Sequence, residues 1–213
     1  MITHHPGEDL LVSYGAGGIG ESWSLAVATH LALCPVCRRT VADLEDIGGV
    51  LLDDSSPEIM SAGALDRAFA ALDAPATTMT TPPAATSATL PQPLRDYVGG
   101  DVDTVPWRSI GGDVRQHIIT TSDKAWSRLL LIPPGRPVPE HGHRGREVTL
   151  VLSGSFTDQH GAYSRGDMGD VAEDTVHSPA AGPGENCVCL AITDAPIKFT
   201  ALLPRLIQPF VRI

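Results

Sequence analysis

Lysine is almost missing from this chain: Lys124 and Lys198 are the only two among 213 residues. No Lys/Arg run is present that could neutralise a phosphate backbone, which argues against direct nucleic-acid binding. The start, "MITHHPGEDL", lacks the apolar centre of a secretory signal. No uninterrupted apolar stretch approaches the ~20 residues needed to cross a bilayer. These absences place the chain in the cytoplasm with no membrane partner. There its four cysteines, in the close pairs Cys34/Cys37 and Cys187/Cys189, read as reduced thiols or ligands instead of structural disulfides.

What is present is acidic. The formal net charge is -10, and residues 1–73 hold eleven Asp/Glu against three Arg, so most of the excess lies in the first third. A skew of this kind suits a basic partner or a solvated acidic face.

The middle of the chain has no charge over "APATTMTTPPAATSATLPQP" (74–93), which contains five prolines. Alternating Pro, Thr and Ala sustain neither a helix nor a core, so 74–93 is expected to be an extended linker between two domains, 1–73 and 94–213. The first reads as helical. Helices are expected over "EDLLVSYGAG", over "ESWSLAVATHLAL" with its three- and four-residue apolar spacing, and over "PVCRRTVADLEDIGG" from Pro35 to Gly48-Gly49. A fourth is expected over "SAGALDRAFAALD" with Ser61 as N-cap. Four short helices make a marginal core that a metal would help to hold. The second domain reads as short strands, among them "VRQHIITT", "SRLLLIP", "EVTLVLS", "SFTD", "ENCVCLAIT" and "IKFTALLP". Gly/Pro/Asp turns between them point to an antiparallel barrel or sandwich.

Two clusters carry metal chemistry. In "THLALCPVC", His30 precedes Cys34 by four residues and Cys34 precedes Cys37 by three, so a helix running into a turn brings the three together. Two thiolates and an imidazole suit zinc, which takes four tetrahedral ligands in a structural site; His4 or His5 is the available fourth. The competing reading of Cys34/Cys37 is a thiol pair in redox chemistry. In "GRPVPEHGHRGREVTLVLSG", His141 and His143 alternate on a strand edge and Glu147 follows four residues later. With a further histidine, His177 in "GDMGDVAEDTVHSP", the set suits zinc in a closed site or iron, manganese or nickel with open positions. Cys187 and Cys189 fall on one face of a strand and are read as core packing, as are Trp107 and Trp126. His117 reads as filling a strand face and His160 as solvated.

The residues carry two resemblances. An early histidine followed at a distance by "HLALCPVC" is similar to the zinc-binding anti-sigma domain, with its His-x3-Cys-x2-Cys signature. That resemblance implies His5, His30, Cys34 and Cys37 as zinc ligands. The run Gly135, His141, His143, Glu147, Gly154 resembles the first motif of the cupin fold, and Gly166 and His177 resemble the second. There Ala172, Asp174 and Ala181 stand where the family has Pro, Gly and Asn. Together the halves resemble the ChrR-type anti-sigma factors. The fold implied is an α+β two-domain chain: a small zinc-binding four-helix domain, then an antiparallel β cupin barrel. The resemblance further implies that the chain binds and inhibits an extracytoplasmic-function sigma factor, and that the cupin domain senses singlet oxygen or related oxidants. It implies zinc in both domains and no catalysis. The alternative from the residues is a metal-dependent cupin dioxygenase or isomerase with an accessory helical domain.

Overall fold

The computed structural model describes residues 1–73 and 88–201. The helices α1 (Glu8–Gly15), α2 (Glu21–Leu33), α3 (Pro35–Asp53) and α4 (Ala64–Leu72) precede α5 (Gln92–Val98). The strands then follow in chain order: β1 (Arg108–Gly111), β2 (Val114–Ile119), β3 (Trp126–Ile132), β4 (His141–Gly142), β5 (Glu147–Ser153) and β6 (Ser155–Asp158). They continue with β7 (Gly161–Ser164), β8 (Met168–Val171), β9 (Val176–His177), β10 (Ala180–Ala181), β11 (Cys187–Thr193) and β12 (Lys198–Phe199). A six-stranded sheet has the order β1-β2-β3-β11-β5-β8, and two three-stranded sheets have the orders β10-β6-β7 and β12-β4-β9. Among the described residues, neighbouring strands of these sheets pair antiparallel.

Side-chain alternation divides the six-stranded sheet into two working faces. Leu129 of β3, Val148, Leu150 and Leu152 of β5, and Val188, Leu190 and Ile192 of β11 belong to one apolar cluster with Leu25, Ala26, Val27 and Leu31 of α2. The opposite parity, Leu130, Ile132, Val151, Cys187 and Cys189, packs with Phe156 and Tyr163. All seven residues of β11 are buried, because this strand is covered on both faces. Glu147 and Thr149 fall on the second face by the same parity. Burying leucines on one face of β5 therefore also turns a carboxylate inward on the other.

The N-terminal helices share a core with the sheet. Leu10, Leu11 and Val41 lie in the same cluster as the sheet leucines, and polar contacts seal the rim. The Asp123 carboxylate accepts from Ser22 N–H (2.9 Å) and Ser22 Oγ (2.5 Å) at the start of α2. Glu21 accepts from Tyr97 Oη at 2.7 Å. At Gly166 (φ 91) a Cβ would come within 2.5 Å of Ile2 Cδ1, so the N-terminal strand of chain lies hard against the turn before β8.

Several expected boundaries move. Helix α3 continues through Gly48-Gly49 to Asp53; neither glycine takes the left-handed conformation of a C-cap. The N-cap of α4 is Gly63, in a left-handed conformation, and not Ser61; Ser61 Oγ instead accepts from Arg67 Nη2 at 2.7 Å. Most of the expected linker, 74–87, lies outside the described residues. Its last part is packed, with Leu90 fully buried and α5 beginning at Gln92; Leu94, one residue past the expected linker, is fully buried too. Prolines at 91 and 93 suit a helix entry, where no N–H is required. Of "IKFTALLP", Lys198–Phe199 form a strand, and residues from 202 on lie outside the described residues.

Candidate metal centres

The first cluster forms where α2 ends and α3 begins. Cys34 is at once the residue closing α2 and the N-cap of α3, with its sulfur accepting from Cys37 N–H at 3.5 Å. Pro35 opens α3, where its fixed φ is already helical. His30, one turn back, places Nε2 3.3 Å from Cys37 Sγ. The fourth group comes from outside the helices: His5 Nδ1 lies 3.5 Å from Cys34 Sγ and 3.3 Å from Cys37 Sγ. The donor atoms of His5, His30, Cys34 and Cys37 all lie within 4.8 Å of one another. That spacing suits zinc, whose bonds of about 2.3 Å to sulfur and about 2.0 Å to nitrogen set neighbouring ligands roughly 3.5 Å apart. His4 points elsewhere, its ring 4.5 Å from that of Tyr163.

The chemistry of the donors agrees with the geometry. Burial brings the His30 imidazole down to about 4, with Gly166 backbone partly offsetting it, so the ring is neutral and offers a lone pair at pH 7. Burial and the adjacent Cys34 thiol push Cys37 up to about 12. A buried thiol pair of this kind becomes thiolate when a cation is supplied, and binding then releases protons. The cluster is compatible with a zinc site.

The second cluster lies on the inner face of the sheets. His141 on β4 is paired in register with His177 on β9, His143 follows β4, and Glu147 opens β5. Their donor atoms also fall within 4.8 Å of one another, and all four residues are buried. The Nε2 atoms of His141 and His143 each lie 3.0 Å from His177 Nε2. Outer contacts aim the rings. His141 Nδ1 lies 2.8 Å from the Pro139 carbonyl and His177 Nδ1 3.1 Å from the Asp158 carboxylate. Both acceptors hold the proton on Nδ1, which leaves Nε2 as the free donor. Thr149 Oγ1 donates to Glu147 Oε1 at 3.2 Å. His143 Nδ1 is buried with no hydrogen-bond partner and lies 3.4 Å from Glu147 Oε2.

Burial brings His141 down to about 4, with the nearby His177 adding to it, and brings His143 down to about 4, with His141 and His177 adding to it. It pushes the Glu147 carboxyl up to about 7, against the opposing pull of Thr149 and Arg128. Three buried imidazoles and a carboxyl deprived of water are a costly arrangement on their own. A divalent cation among them would satisfy every donor.

The departures from the second cupin motif have a structural account. Asp174 adopts φ 64, so it holds the left-handed turn that the family gives to glycine, a conformation Asp tolerates better than most residues. Ala181 lines the interior beside Phe156. Gly154, at the end of the first motif, has φ 66, and a Cβ there would stand 2.6 Å from the Asn186 carbonyl. All eight expected site residues are therefore gathered into two fours. The residues that aim them carry no spacing signal: Asp158 reaches His177 from β6 and Thr149 reaches Glu147 from β5. Cys187 and Cys189 are buried in the inner apolar cluster.

A Cys/His cluster in a helical unit, docked on a β-sheet protein with an internal histidine cluster, is the class of protein these features define. Residues 96–195 match the family model described as the ChrR cupin-like domain. Over 216 aligned residues the chain is 45% identical to anti-sigma-E factor ChrR of Cereibacter sphaeroides, spanning all of this chain and 99% of that one. It also resembles a chain in the crystal structure of Rhodobacter sphaeroides SigE in complex with the anti-sigma ChrR. That likeness has TM-score 0.81 and 43% identity, over 91% of this chain and 100% of that chain. This chain belongs to the ChrR family of anti-sigma factors.

Proposed function

We propose that this chain binds and inhibits an extracytoplasmic-function sigma factor through its N-terminal helices, and that its cupin barrel releases that factor in response to singlet oxygen or a related oxidant. Zinc bound by His5, His30, Cys34 and Cys37 holds residues 1–73 as a four-helix clamp, and zinc bound by His141, His143, Glu147 and His177 holds the sensing site in 94–213. The chain acts in the cytoplasm, where its sigma factor is.

The observation that carries the reading is an apolar surface that no other described residue covers. Ile47, Val50, Leu51 and Leu52 on α3 and Leu65, Phe69 and Leu72 on α4 are all exposed, Leu72 at 79%. Helix α4 buries no residue at all. Burying one such side chain against a partner contributes about 1.5–3 kcal/mol, and this many large apolar side chains left exposed on two helices points to an interface. The acidic balance of residues 1–73 adds attraction for a basic helical partner. The partner in the similar complex, SigE, supports the same class of partner here.

The route from barrel to clamp is supported by contacts that share strands with the second cluster. Arg146, next to Glu147, bonds Asp170 of β8 (Nη2 to Oδ2, 2.5 Å) and Asp9 of α1. Asp167 accepts from the backbone N–H of Thr3 (2.7 Å), His4 (2.9 Å) and Ser164 (2.8 Å). Loss of the second metal would loosen β5 and the turn before β8, and with them the grip on the segment that carries His5.

Two experiments test this. Phe69→Asp with Leu72→Asp, at exposed positions, should abolish co-purification with the sigma factor and leave the metal content unchanged; retention of the complex would overturn the docking surface. Alanine at His141, His143, Glu147 and His177 should abolish oxidant-induced sigma-dependent transcription, and an intact response would overturn the sensing role. The internal cavity beside the second cluster is the observation that favours a second reading, a cupin dioxygenase or isomerase. It requires iron or manganese at that cluster and turnover of a small substrate.

A further inference from the structure

The second cluster does not fill the interior it faces. A cavity of about 320 Å³ opens beside His141, Glu147 and His177, which is at the small end of ligand sites, about 300–1,000 Å³. Its walls are apolar and include Leu130, Ile132, Val138, Phe156 and Phe199. On β3 the inward row runs Trp126, Arg128, Leu130, Ile132, so one guanidinium stands among apolar side chains. Arg128 is 5% exposed, lies over the Trp126 ring at 5.7 Å, and is felt electrostatically by Glu147. Arg136 and Asp158 also line the space. Arg136 is exposed, so among the buried groups Arg128 offsets only one of the two carboxylates, Glu147 and Asp158, and a divalent cation at the cluster leaves a net charge of about +1 in a poorly solvated interior. An uncompensated charge of that sign is costly unless an anion meets it.

We propose that this cavity is a binding site for a small linear monocarboxylate, its carboxylate directed to Arg128 beside the cluster and its hydrocarbon body packed between Leu130, Ile132, Phe156 and Phe199. The volume corresponds to about ten water-sized groups, which matches the ten non-hydrogen atoms of octanoate. The closed set of four donors in the cluster does not require the ligand to bind the metal. The inference rests on the metal reading above and not on the sensing role. It gives the barrel a second input, a small organic acid, in addition to whatever acts on the cluster.

The test is titration calorimetry of the zinc-loaded full-length chain with butanoate, hexanoate, octanoate and octanol. Each methylene pair added should tighten binding by about an order of magnitude, at about fourfold per methylene. Octanoate should bind one per chain and at least tenfold tighter than octanol. Ala191→Leu, which projects into the cavity, should weaken octanoate at least tenfold. Arg128→Gln, compared at matched metal content, should bring octanoate down to the level of octanol. Equal binding of octanoate and octanol to the parent chain, no saturable binding at all, or octanoate binding unchanged in both variants would overturn the assignment. Melting and co-purification with the sigma factor are followed on the same samples. A chain that holds its sigma factor and its metals but binds no carboxylate thus refutes the cavity assignment alone.

Discussion

Replacing Glu147 by glutamine should make the metal-free chain more stable at pH 8 while making the metal-loaded chain less stable. Burial raises the Glu147 carboxyl from 4.5 to about 7. For an acid raised in this way, the native state is penalised as pH climbs: nothing is lost below about 4.5, and the loss is complete once pH exceeds 7. The gap of about 2.5 units corresponds to about 3 kcal/mol at pH 8. In a chain of this size that is about 10 °C in melting temperature. Glutamine keeps the shape and the Thr149 contact but carries no charge to desolvate, so the penalty disappears. The assay is thermal melting of chelator-treated protein at pH 5 and pH 8. Glu147→Gln should melt about 10 °C above the parent at pH 8 and within about 2 °C of it at pH 5, and should retain less metal at the second cluster when zinc is supplied. Equal melting at pH 8, or a gain of the same size at pH 5, would refute the claim that this carboxyl is held for a cation. The histidines act with the opposite sign. His141 and His143, held down to about 4, withdraw stability as pH falls from about 6.5 toward 4; together the two imidazoles outweigh the one carboxyl below about pH 7, so for these three groups the metal-free chain is most stable near pH 7.

Three other consequences are open to measurement. Asp167→Ala leaves three backbone donors without their acceptor; it should cost about 3 kcal/mol and speed chelator extraction of zinc from the first cluster at least tenfold, and unchanged extraction would refute the coupling. Burial opposes ionisation of Asp167, but those three N–H groups outweigh it and hold its carboxyl below 3.8. Docking of residues 3 and 4 is therefore present above about pH 4 and lost as pH falls through that lowered value. Cys37→Ser should remove one zinc per chain and the hydrogen-exchange protection of α1–α3, and leave β5 and β11 protected; full protection in α2 would contradict the structural role of the first cluster.

The two clusters were legible in the sequence because each depends on local spacing. A helix-turn-helix places His30, Cys34 and Cys37 together whatever surrounds them, and β pairing places His141 beside His177. The choice of His5 over His4 followed only from a family resemblance, and the contacts with Cys34 and Cys37 now supply its physical basis. What was not legible depends on long-range packing. The helical segment was expected to hold a core of its own, yet α2 packs its leucines on β5 and β11 because the outward parity of those strands is as apolar as the inward one. Leu90 was hidden in a stretch that reads as linker by composition, and it is buried in the apolar cluster that α2 shares with the sheet. The four helices were expected to make a marginal core of their own, whereas the large apolar side chains from Ile47 to Leu72 are exposed and form the surface on which the proposed function rests.

The most direct test of the account is co-expression of the full-length chain with the extracytoplasmic-function sigma factor encoded beside it, with metals counted in the purified sample. The account requires a one-to-one complex carrying two zinc ions per chain of this protein. Recovery of the chain free of any sigma factor, with iron or manganese at the second cluster, would contradict it.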